Sequence, residues 1–68
     1  MRFSVKIGPY VLRKANEPGG WIKLQLNGDT IGKLEREKLL DDLPRCIGRP
    51  LTFAEQSLLA GAIPQVVA

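Results

Sequence analysis

Sixty-eight residues, of which 44% are apolar and 25% charged, make one small globular domain (residues 1–68), too short to hold two cores and too apolar for disorder. One cysteine, Cys46, and no histidine leave neither an internal disulfide nor a Cys/His zinc site, so the chain is expected to need no metal or cofactor. No apolar run approaches the ~20 residues that span a bilayer, and Lys6 and Pro9 break the N-terminal apolar positions, so a cytoplasmic chain without membrane attachment is expected.

Phe3, Val5 and Ile7 alternate with Arg2, Ser4 and Lys6, the period of a half-buried strand. Gly8-Pro9 interrupts the run, and a second extended segment follows at Tyr10 to Lys14; residues 2–7 are either a separate fourth strand or an extension of this one. Asn16-Glu17-Pro18-Gly19-Gly20 is loop chemistry leading to a strand from Trp21 to Leu26. Asn27-Gly28 is the strongest hairpin signal in the chain, because a type I′ turn needs two residues that tolerate positive φ, and Asp29 to Leu34 is the returning strand.

A two-residue turn fixes a register. Leu26 faces Asp29, Gln25 faces Thr30, Leu24 faces Ile31 and Lys23 faces Gly32, so Ile22, Leu24, Leu26 and Ile31 share the core side. If the loop pairs Ala15 with Trp21, Tyr10 and Leu12 join that side, and Val11 and Arg13 fall beside Trp21, Lys23 and Gln25 on the other.

From Glu35 the period becomes helical through Arg36, Leu39, Leu40 and Leu43, which predicts a helix over 35–43 stopped by Pro44. Thr52-Phe53-Ala54-Glu55 spells a capping box and predicts a second helix over 52–61, with Gly61 at its C-terminal cap and Pro64 beyond. Residues 62–68 form a tail whose Val66-Val67 either frays or adds a strand. The resulting fold is α+β: an antiparallel meander of three or four strands over residues 2–34, with two short helices packed on one face. A core this thin is compatible with a homo-oligomer.

The search for chemistry finds few parts. Asp41 and Asp42 are neighbours on a helix and project in different directions, and Cys46 has no histidine as base and reads as a half-buried structural thiol. The glycines spell no phosphate-binding loop, since Gly19-Gly20 precedes a strand instead of a helix. The expected protein is no enzyme and has no catalytic residues.

What remains is a surface. Residues 1–33 carry six basic side chains against two acidic ones, and residues 34–68 four against five. The outer sheet face collects Arg13, Trp21, Lys23 and Gln25, with Lys14 close by in the loop, an aromatic among cations and an amide. Trp21 itself has two readings: the aromatic of that face, or a core ring opposite Leu34 that covers Gly32. Lys23 and Lys33 also fit a solvated strand edge. Three antiparallel strands and a helix over residues 10–43 resemble the arm-binding domain of tyrosine recombinases and the plant ethylene-response DNA-binding domain, and that resemblance implies a sheet laid in the major groove. Elimination favours a small accessory or regulatory protein that docks on a larger protein partner, as phage and mobile-element modulators and inhibitors do. Nucleic-acid binding through the basic sheet face is the alternative.

Overall fold

The structure is a computed structural model and describes residues 3–63. Arg2 and the tail from Pro64, with Val66-Val67, lie outside the described residues. Four antiparallel strands run in the order β1 (Ser4–Ile7), β2 (Tyr10–Lys14), β3 (Trp21–Leu26), β4 (Asp29–Glu35). A single 3₁₀ turn, Arg36–Lys38, leads into helix α1 (Leu39–Ile47), and helix α2 is Phe53–Ala62.

Gly8-Pro9 is a hairpin turn, which makes residues before it a fourth strand. Ile7 pairs with Tyr10, and Gly8 has φ of 59°, so glycine takes the positive-φ position and proline the negative one, the order that suits a type II′ turn. Asn27 and Gly28 have φ of 53° and 86°, the two left-handed positions that a type I′ turn requires. Between these turns the β2–β3 register is the expected one, from Tyr10 opposite Leu26 to Lys14 opposite Ile22, closed by the Ala15 amide donating to the Trp21 carbonyl at 2.9 Å.

The β3–β4 register departs from expectation after two pairs. Leu26 faces Asp29 and Gln25 faces Thr30, but Leu24 then faces Gly32, so Ile31 is the unpaired residue of a β-bulge. Beyond it Lys23 faces Lys33, Ile22 faces Leu34 and Trp21 faces Glu35. Burial supplies the reason. A regular ladder would turn Leu34 outward and Lys33 toward the helices, whereas the bulge buries Leu34 to 7% exposure and leaves Ile31 51% exposed. Ile31 is therefore not core, and Trp21 sits opposite Glu35 instead of Leu34.

The core joins Val5, Ile7, Leu12, Ile22, Leu24 and Leu34 of one sheet face to Leu39 and Leu43 of α1 and Leu51, Leu59 and Ile63 around α2. Tyr10 packs against it half-buried, and Leu26 is half-buried at the strand end. Helix α1 lies against β4 and α2 against β1, so both cover the same face and leave the other open.

Helix α1 begins later and ends later than periodicity suggested. Glu35 still belongs to β4, and Pro44 lies inside the helix. A proline forfeits its own bond to the carbonyl four residues back and crowds it. Leu39, Leu43 and Ile47 nevertheless continue one apolar stripe past it, and Gly48 caps the helix at φ of 78° with its amide on the Pro44 carbonyl at 2.9 Å. Gly61 is likewise inside α2 and not at its cap; the chain leaves through Ile63, fully buried and extended at φ of −113°. Cys46 is exposed, against the half-buried expectation.

The start of α2 is the capping box expected from sequence. The Glu55 amide donates to Thr52 Oγ1 at 3.1 Å and the Thr52 amide to Glu55 Oε1 at 2.9 Å. Arg49 adds a two-pronged ion pair, Nη1 to Oε1 at 2.8 Å and Nη2 to Oε2 at 2.9 Å. A side chain at Gly8 would meet this guanidinium at 3.6 Å, so the interhelical loop reaches back to the first hairpin turn. These hydrogen bonds, chiefly that from Arg49 and then that from the Thr52 amide, hold the Glu55 carboxyl at about 2 against an ordinary 4.5. A depressed folded value means that the stabilisation is complete above about 4.5 and is lost as pH falls toward 2. Glu55→Gln should therefore melt below the parent at pH 6, with the gap closing by pH ~2. A gap that stays constant over that range would contradict the assignment.

Candidate functional site

The open sheet face is organised by cross-strand register. Arg13 lies directly opposite Lys23, and Lys23 directly opposite Lys33, so three cations form a row across β2, β3 and β4. With neighbouring strands ~4.8 Å apart, the row spans about 10 Å of backbone. Ser4 extends it on β1. Next to it runs the row Lys6, Val11, Gln25 and Thr30, in which Gln25 Nε2 donates to Thr30 Oγ1 at 3.4 Å. On its other side stand Trp21 and Glu35.

Trp21 is half-buried on this face, which decides between its two readings: it does not face Leu34 and does not belong to the core under the helices. Its indole is flanked by backbone. A Cβ placed on Gly19 would lie 3.2 Å from Trp21 Cδ1 and Nε1, and Gly19 has φ of 103°, so both geometry and contact reserve that position for glycine. Gly19, Gly20, Trp21, Glu35, Arg36 and Glu37 enclose a small cleft, in which the Arg36 Nε is buried without a hydrogen-bond partner.

Of the residues expected to form the site, the structure brings Arg13, Trp21, Lys23 and Gln25 together. Lys14 differs. It is the last residue of β2 and not a loop residue, and by strand alternation it falls with Leu12 on the helical side, opposite Ile22. It is exposed there and, with Phe3, Ser4, Arg13 and Lys23, rims one open depression.

Lys33 is the residue that sequence reasoning missed as a member of the face. In a regular ladder it would oppose Ile22; the bulge carries it opposite Lys23. The available signal was Leu34, an apolar residue that a regular ladder would expose. Lys33 Nζ donates to both Glu17 carboxylate oxygens, at 2.9 and 3.1 Å, and Glu17 comes from the β2–β3 loop.

Among the described residues no three His, Cys, Asp or Glu side chains gather as a metal site would require, and no helix is long and apolar enough to cross a membrane. The face is equipped for contact: cations for oxyanions, an amide and a hydroxyl for polar edges, and an indole for stacking or apolar cover. Comparison with protein-family models, characterised proteins and solved structures finds no match for this chain.

Proposed function

We propose that the protein is a non-enzymatic nucleic-acid-binding module that lays the open face of its sheet on a duplex. The observation that carries this reading is the cation row Arg13–Lys23–Lys33. Like charges directly opposite one another on a sheet are destabilising, and here two such pairs share Lys23. A polyanion turns that repulsion into attraction and releases counterions as it binds. The row's span of about 10 Å compares with the ~12 Å width of a major groove, so its outer members reach toward the two flanking backbones while Lys23 and Gln25 face base edges. A cytoplasmic setting belongs to this reading.

Fluorescence titration of a short mixed-sequence duplex between ~50 and ~200 mM salt tests it. Binding should weaken with a log–log slope of about −0.9 per phosphate neutralised, and Arg13→Ala with Lys23→Ala should weaken binding and flatten the slope by about one contact, that of Arg13. The part of that loss that comes from the Arg13 phosphate contact should be of similar size for unrelated sequences. No binding at low salt would remove the nucleic-acid reading and leave docking on a larger protein partner through the same Trp21 patch, whose indole and arginine are the residue types most often dominant at protein interfaces.

A further inference from the structure

Lys33 is already coordinating an oxyanion. Its ammonium holds both oxygens of the Glu17 carboxylate, in line with Lys23 and Arg13 and at the end of the same row. We propose that Lys33 is a phosphate contact of this face and that Glu17 occupies its place in the free protein. The proposal rests on the nucleic-acid reading above and adds to it an internal competitor for the ligand.

Three observations support the exchange. The pair is open to solvent, with side chains 50% and 38% exposed, and exposed lysine–carboxylate pairs hold weakly and yield to salt. Glu17 projects from the loop between β2 and β3, which ends in Gly19 and Gly20 at φ of 103° and 71° and turns directly into Trp21. The carboxylate therefore lies at the border of the face. The row also has no second acid of this kind: Arg13 and Lys23 make no ion pair among the described residues. An arriving duplex finds Arg13 and Lys23 without an ion-pair partner among the described residues and must displace Glu17 to reach Lys33. Once displaced, the carboxylate faces an anionic ligand and repels it, so Glu17 lowers affinity twice, by occupying Lys33 and by its own charge.

Salt-dependent titration of a mixed-sequence duplex by the full chain tests this with four variants. Glu17→Gln should bind roughly three- to tenfold tighter than the parent at low salt, with a slope steeper by about one contact. Asp41→Asn makes the same change in net charge at an exposed position of helix α1 and should stay close to the parent. In a Lys33→Ala background the gain from Glu17→Gln should shrink to the small effect of Asp41→Asn. An unchanged affinity for Glu17→Gln overturns the proposal, as does an equal gain from Asp41→Asn or a full gain without Lys33. In those cases the parent still binds duplex, so the function stands while the competitor does not. Absence of binding by the parent and every variant overturns both.

Discussion

Replacing Leu24 with alanine is expected to unfold most of the population at ambient temperature. Leu24 is 1% exposed at the centre of the sheet, between Leu12 on β2 and Gly32 on β4. Gly32 offers no side chain to close over a void there, and a Cβ at that position would meet nothing within 4 Å. A buried leucine cut to alanine costs ~2–5 kcal/mol, depending on how far the site can collapse. A core in a domain of this size seldom supplies more than ~3–5 kcal/mol, so the loss is comparable with the whole stability. Ile31→Ala supplies the contrast. At 51% exposure its side chain is outside the core, and its truncation should change stability by no more than ~0.5 kcal/mol. Circular dichroism melts of the two variants compare them directly. Equal damage from both would show that Ile31 is buried and the strand ladder regular.

Lys23→Glu is expected to move stability and binding in opposite directions. Lys23 is flanked directly by Arg13 and Lys33, so the change removes two like-charge pairs and creates two of opposite sign. Cross-strand charge pairs each contribute ~0.2–1 kcal/mol, and a gain near ~1 kcal/mol raises the melting temperature of a domain of this size by about 4–8 °C. If the face binds a duplex as proposed, its affinity should meanwhile fall about tenfold or more, since the centre of the cation row has become an anion. A variant that is both more stable and binding-deficient is what a surface shaped for a ligand yields. A variant with higher stability and undiminished duplex binding would place the contact elsewhere on the molecule.

The meander was legible in the sequence because its turns are chemically explicit. Asn27-Gly28 supplied two left-handed positions, and the loop from Asn16 to Gly20 had the length that pairs Ala15 with Trp21, so the β2–β3 register followed. Gly8-Pro9 signals a break in sequence more clearly than a hairpin, since proline marks the end of a ladder more strongly than the glycine before it marks a return. The bulge was not legible at Ile31, which alternates correctly with Thr30 for a regular strand. It is forced further along, by the conflict between Lys33 and Leu34. That one displaced residue is why sequence alternation puts Arg13, Lys23 and Gln25 on the open face but not Lys33. Pro44 misled in the opposite sense. Its local cost is real, but Ile47 continuing the stripe of Leu39 and Leu43 outweighs it.

Strand β4 forms one border of the sheet, with no neighbour beyond it among the described residues. A border strand of seven residues with evenly spaced amide and carbonyl groups is a template on which another polypeptide can zip. The extra residue at Ile31 spoils that template: it breaks the spacing midway and increases the local twist, so an incoming strand can match one half of β4 or the other but not both. Deleting Ile31 would preserve every pairing from Trp21 to Leu26 and remove an exposed apolar side chain. It would also straighten the border, trading a local irregularity for a chain more prone to aggregate.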